Sequence, residues 1–167
     1  MLRDRLMYLW RQARPALAAG VAILLVALVT RHFAGGMTAV LLVASMGAAA
    51  TLLFCLPDSP LSRPWAFVGG HLVSVLAGIT SSQLVQDVAI ASALAVGGAI
   101  LLMRLLNCLH PPGGAAALSC VVGGPDVIAS GYHFLIAPVG VNVLLMFTLA
   151  QLYRAAVSRG GSGTRKG

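Results

Sequence analysis

The chain alternates between apolar runs and short clusters of breakers and charges. Residues 16–29 are uninterruptedly apolar and predict the core of a first membrane span, since about 20 apolar residues cross a hydrocarbon core of about 30 Å. Ala34-Gly35-Gly36 predicts a turn. Residues 37–54 give 18 positions, again long enough to cross. Within them Ala44-Ser45-Met46-Gly47-Ala48-Ala49-Ala50 is small-sided, which lets helices approach closely in lipid. Residues 55–64 form a polar linker. In it Ser59-Pro60, and Ser62 before Pro64, read as helix starts with a hydroxyl cap and a proline in the first turn. Residues 65–85 and 88–105 predict two further spans around a turn at Asp87. Residues 113–122 are apolar but short, reaching only about 15 Å as a helix. Gly123-Gly124-Pro125-Asp126 is a turn signal, and residues 133–157 hold a last span. The expected fold is therefore all-α and polytopic: four full transmembrane spans plus two small-residue-rich broken or short spans. The expected domain is a single one over 1–157, with a disordered basic tail at 158–167.

Composition sharpens this class. The chain is 59% hydrophobic and 9% charged, with a mean hydropathy of +0.93, where soluble domains carry about 25% charged residues. The first 14 residues are amphipathic, with Arg3, Arg5, Arg11 and Arg14 beside Leu2, Leu6, Leu9 and Trp10, an interfacial lead-in to a helix opening at Pro15. No small-residue cleavage site follows the first apolar run, so it reads as a retained helix and not as a signal peptide.

The net charge of +7 fits orientation in a bilayer better than nucleic-acid binding, because the basic residues flank apolar runs and do not form an aromatic-laced patch. Six crossings put Arg3, Arg5, Arg11, Arg14, Arg63, Arg104, Arg154, Arg159, Arg165 and Lys166 on one side and Arg31 alone on the other. Four crossings would move Arg31, Arg63 and Arg104 together to the far side. The positive-inside rule favours six, or two re-entrant pieces that behave like crossings, with both termini cytoplasmic. The two halves also read as three-element repeats, Gly47-Ala48-Ala49-Ala50 echoing Gly114-Ala115-Ala116-Ala117, an arrangement that would make them inverted.

The candidate chemistry lies at the break Leu106-Asn107-Cys108-Leu109-His110-Pro111-Pro112-Gly113-Gly114. Helix breakers at membrane depth are tolerated only where protein or a water-filled cavity covers them, and such breaks point to binding sites. His110 offers a donor, or a charge at lower pH. Gly113 and Gly114 are expected to expose free amides at a helix N-terminus, where anions are favoured. His71 follows Gly69-Gly70 inside an apolar segment, where an ionisable group suggests function. Asn107, Ser45 and Gly47 complete the candidate substrate-binding set. Thr51, Ser74 and Asn142 read as interhelical glue, and Arg104 as a snorkelling helix end. Cys55, Cys108 and Cys120 lack C-x-x-C spacing and read as small buried hydrophobes. No H-x-x-x-H, C-x-x-C or intramembrane carboxylate supports a metal site, no cofactor is expected, and no nucleophile–base arrangement supports an enzyme.

Leu109-His110-Pro111-Pro112-Gly113-Gly114-Ala115 resembles the signature of the HPP family. A second block agrees: Ser45-Met46-Gly47-Ala48, Leu52-Leu53-Phe54, Pro57-Asp58-Ser59-Pro60-Leu61, Pro64 and Gly69-Gly70-His71. The resemblance runs from about Ala16 to Tyr153. The chain departs from the family pattern at Arg63, where Gln is expected, at Ala66, where Asn is common, and at Ala49 and Ala116, where a hydroxyl residue is frequent. The resemblance implies a small integral membrane protein of about four spans, with links to nitrite transport among plastid and cyanobacterial members. The expectation is a transporter or channel for a small anion, nitrite leading, acting as a homo-oligomer in the inner (cell) membrane of a bacterium. A transporter of another small solute, or a structural membrane protein that binds a partner span, are the alternatives.

Overall fold

A computed structural model describes residues 1–161. Its helices are α1 (Leu2–Phe33), α2 (Gly36–Ala50), α3 (Pro64–Leu84), α4 (Val88–Leu105), α5 (Pro112–Val122), α6 (Pro125–Ser130) and α7 (Val141–Gly161). A π-helical turn, Thr51–Cys55, extends α2, and another, Leu135–Gly140, leads into α7. The fold is all-α and polytopic. Five stretches are long and apolar enough to cross a membrane: Leu2–Phe33, Gly36–Cys55, Pro64–Leu84, Val88–Leu105 and Leu135–Arg159, while Pro112–Val122 is shorter. The first small-rich segment is therefore full-length, because the π turn lets it run on to Cys55. Only the second is short.

Local chemistry sets the boundaries. Gly36 takes φ 54 at the α1–α2 turn, a left-handed conformation that favours glycine. The Ser59 hydroxyl accepts from Leu61 N–H at 3.2 Å and opens a short 3₁₀ turn, Pro60–Ser62. Asp87 Oδ1 accepts from Ile90 N–H at 2.9 Å and caps α4. Three expectations are corrected. Pro15 lies inside α1 and does not open it, because the Leu-, Met- and Arg-rich residues before it are themselves good helix formers. Ser62 does not cap α3; its hydroxyl donates instead to the carbonyls of Leu52 and Leu56, at 3.0 and 2.8 Å. Helix α7 runs on through Gly161, past the expected start of the tail at 158; positions 162–167 lie outside the described residues.

The contacts fix which helix ends share a face. At one end Arg154 near the close of α7 meets Asp58 of the linker at 3.6 Å, and Phe54 stacks edge-on with Tyr153 at 5.4 Å. Trp10 and Arg14 of α1 share a groove with Tyr153 and Ala156 there, and Trp65 Nε1 donates to the Leu106 carbonyl at 2.9 Å. At the opposite end Asn142 Nδ2 donates to Thr30 Oγ1 at 2.7 Å and Thr80 Oγ1 lies 3.2 Å from the Tyr132 hydroxyl. Thr38, at the start of α2, donates there to the carbonyl of Gly123, just past α5. Half-way along α2, Ser45 Oγ donates to the Pro112 carbonyl at 3.1 Å. Helix α5 therefore starts at mid-depth and ends at the second face. Residues 106–111 supply the other half of that passage from the end of α4. The start of α1 and the close of α7 lie at the same end of the helices, where Trp10 and Arg14 meet Tyr153 and Ala156.

Helix α3 is the hub. Half of its apolar window, 50%, is buried, against 17% for α1. It packs on α4 through Val73 and Ala77, and on α5 and its lead-in through a small-residue stripe, Gly70, Ser74 and Gly78. A Cβ at Gly70 would stand 2.6 Å from His110 Cβ and 2.8 Å from the Cys108 carbonyl oxygen. One at Gly78 would strike the Ala117 carbonyl and come within 2.9 Å of Cys120 Cβ. Only hydrogen side chains permit this approach.

Candidate functional site

The close approach of α3 brings His71 and His110 together. Their ring centroids are 4.9 Å apart and both residues are fully buried. Phe67, one turn before His71, meets both rings edge-on, at 4.9 and 5.3 Å. Each imidazole is held by its Nδ1, His71 against the Phe67 carbonyl at 3.0 Å and His110 against the Leu61 carbonyl at 2.8 Å. A carbonyl oxygen only accepts, so Nδ1 carries the proton in both rings. In the neutral ring, Nε2 is then a bare acceptor. Neither Nε2 has a partner, and the buried Ser74 hydroxyl, on the next turn of α3, has none either. An unpartnered buried polar group costs about 1–3 kcal/mol. His71 and Ser74 on successive turns of α3, and His110 on the turn before α5, thus place three buried polar atoms without a protein partner at the α3–α5 contact.

Beside the pair lies an open cleft of 590 Å³, lined by Pro60, Leu61, Arg63, Trp65, Ala66, Met103, Arg104, Asn107 and Leu109. Leu61 and Met103 belong to both places. They line the cleft, and they also hold His110, whose backbone N–H donates to Met103 Sδ at 3.5 Å. The cleft is basic. Arg63 and Arg104 have no carboxylate partner among the described residues, whose ion pairs are the N-terminus with Asp4 and Arg154 with Asp58.

The sequence-predicted residues divide. His71 and His110 form the buried pair. Asn107, with φ 53, lines the cleft. Ser45 ties α2 to the start of α5 and so positions the break. Gly113 is not a free amide: its N–H donates to the His110 carbonyl at 2.9 Å, and that of Gly114 to the Pro111 carbonyl at 3.0 Å. The anion-receiving role expected of these two amides is corrected, because the two prolines wind the chain into a turn that uses the donors internally. Gly113 matters sterically instead, since a Cβ there would stand 2.5 Å from Ser74 Oγ and 2.9 Å from the Gly70 carbonyl oxygen. Gly114 and Gly47 are half-buried, with open space where a Cβ would point; neither lines the pair. Sequence reasoning missed Phe67, Leu61 and Met103. The four-residue spacing of Gly70, Ser74 and Gly78 was the available signal for the α3–α5 contact. As for metals, the pair offers two nitrogens, but no group of three or more His, Cys, Asp or Glu side chains converges among the described residues.

The histidine-proline-proline turn therefore builds the buried pair, and the family model for the HPP transmembrane region matches residues 6–161. The chain belongs to the HPP family. This HPP protein is a multi-pass membrane protein whose long helices contact the lipid bilayer. It is similar to a transmembrane protein of Dictyostelium discoideum, 37% identical over 138 residues, which is 80% of this chain and 48% of the relative. A second transmembrane protein of the same organism is 36% identical over 138 residues, 80% of this chain and 44% of that relative. The HPP protein thus matches just under half the length of each relative. No solved structure matches it.

Proposed function

We propose that this protein passes a small anion across the membrane, nitrite being the leading candidate, and acts as a path for a solute, not as an enzyme. The observation that carries the reading is the open cleft edged by Arg63 and Arg104, neither with a carboxylate partner among the described residues, beside the fully buried His71–His110 pair at the break. Unpaired basic residues around a concave, low-dielectric mouth raise the local concentration of anions. An ionisable pair at the membrane break supplies polar groups where the lipid core supplies none. The shared face of both termini carries nearly all the basic residues, so we assign it to the cytoplasm, in a bacterial cell membrane and with copies of the chain associating there.

Purified protein in liposomes, assayed for entry of nitrite, nitrate, formate and chloride against protein-free vesicles, tests this. Nitrite entry above the protein-free rate is the expected result. Replacing both Arg63 and Arg104 with Gln should raise the concentration for half-maximal flux, more at low ionic strength than at high, because exposed charges act through a screened field. No protein-dependent flux of any of the four anions would remove the reading and leave the pair as a structural feature of the turn.

A further inference from the structure

The buried pair is chemically mismatched to a bare anion. Both Nδ1–H groups are spent on carbonyls of this chain, Phe67 and Leu61. What the two rings turn to the rest of the site are Nε2 lone pairs, and lone pairs repel an anion's oxygens. The prolines leave no compensating amides, since those of Gly113 and Gly114 are bonded within the turn. Nor do the surrounding elements supply a charge: α2, α3, α4 and α5 contain no Asp, Glu or Lys, and their one Arg is Arg104 at the end of α4. The titratable side chains around the pair are Cys108, beside Gly69, and Cys120, beside Gly78, both unpaired thiols. At the rim stand Arg63 and Arg104.

We infer that the His71–His110 pair receives its ligand with a proton attached: a small weak-acid anion bound as its conjugate acid, with the acidic hydrogen on an Nε2 and the Ser74 hydroxyl available to the oxygens. This rests on the reading of cleft and pair as an anion path. The charge balances, since one anion and one proton enter together and the occupied site stays neutral, whether the proton sits on the ligand or on the ring. Cations would also satisfy two bare acceptors, but they would have to pass Arg63 and Arg104, which no carboxylate among the described residues neutralises. The substrate class follows: anions of weak acids, such as nitrite and formate, are accepted, and anions of strong acids, nitrate and chloride, are refused. Chloride is smaller than nitrite, so its exclusion would not be a matter of size.

The test uses the full chain in liposomes loaded with a pH-sensitive dye, with protein-free rates subtracted. Nitrite and formate should enter and acidify the lumen by one proton per anion, at a rate unchanged when potassium and valinomycin clamp the voltage. Nitrate and chloride should stay at the protein-free rate. Nitrate or chloride entering as fast as nitrite, or nitrite entering as net current without acidification, overturns the inference while the anion path stands. No flux of any anion removes both. His71→Asn and His110→Asn keep an amide near Nδ1 to bond the Phe67 or Leu61 carbonyl and delete Nε2. Each should lower nitrite flux about ten- to a hundredfold while the protein elutes as wild type on gel filtration. A folded variant with full flux would overturn the inference as well.

Discussion

At the scale of single residues, two adjacent glycines separate packing from permissiveness. Gly113 faces α3, where the Ser74 hydroxyl and the Gly70 carbonyl occupy the space a methyl group would need. Gly114 faces open space. Overpacking a tight contact costs about 1–3 kcal/mol, whereas Gly→Ala at an unhindered helical position gains about 0.5–1 kcal/mol. Gly113→Ala should therefore lower the thermal unfolding midpoint in detergent, and Gly114→Ala should leave it equal or higher. Equal losses from both would mean that the face α5 turns to α3 is wrongly assigned. The histidines invite a similar contrast. His110→Gln sacrifices the bond to the Leu61 carbonyl, whereas His110→Asn keeps it. The Gln variant should thus be the less stable of the two by about 0.5–1.5 kcal/mol, the net worth of a hydrogen bond, measured by the same melt.

At the scale of elements, the short helix α5 is held at both ends by α2 and along its length by α3. Ser45 bonds the Pro112 carbonyl and Thr38 the Gly123 carbonyl, so two hydroxyls of one helix set the depth of the other. Removing one, Ser45→Ala, leaves a buried carbonyl without that donor and should cost about 1–3 kcal/mol. The α3–α5 contact is less forgiving. Gly78→Ala drives a methyl into the Ala117 backbone and should abolish a monodisperse fold, while Gly97→Ala on α4, with nothing within 4 Å, should be silent by gel filtration. Much of this level was legible in the sequence. Gly35-Gly36, Asp87 and the Ser59-Pro60 pair mark real boundaries, because glycine, a capping carboxylate and a proline act locally. The π turn that lengthens α2, the short helix α6 and the engaged amides of Gly113 and Gly114 were not legible. Each depends on a register set by neighbouring helices. Nor could spacing alone tell that Gly113, and not Gly114, faces α3. His71 and His110 fall into one candidate set because both lie near breaks in apolar runs, but the close approach that brings their rings together belongs to Gly70.

At the scale of the whole molecule, the number of crossings decides what the charges mean. Five long helices alone would send the two termini to opposite faces and split the basic residues between them. Counted as a further passage, residues 106–123 change that parity. They enter beside Trp65, turn at the two prolines at mid-depth, and leave beside Thr38 as α5. The described basic residues then sort cleanly, Arg31 on one face and Arg3, Arg5, Arg11, Arg14, Arg63, Arg104, Arg154 and Arg159 on the other, the asymmetry that orients a polytopic protein. The antiparallel pairing of α2 with α5 at the centre is also what two inverted halves would produce, although α2 runs unbroken where α5 is cut short. The orientation is open to a direct measurement. In a background with the three native cysteines replaced by Ala or Ser, Asp58→Cys and Arg31→Cys are labelled with a membrane-impermeant maleimide in intact cells and in inverted vesicles. Asp58→Cys should react only in inverted vesicles, on the same face as reporters fused to both termini, and Arg31→Cys only in intact cells. If the C-terminal reporter instead sided with Arg31, residues 106–123 would return to the face they left. The buried pair would then lie at the bottom of a re-entrant pit open to one side, and a path through the membrane at His71 and His110 would have no exit.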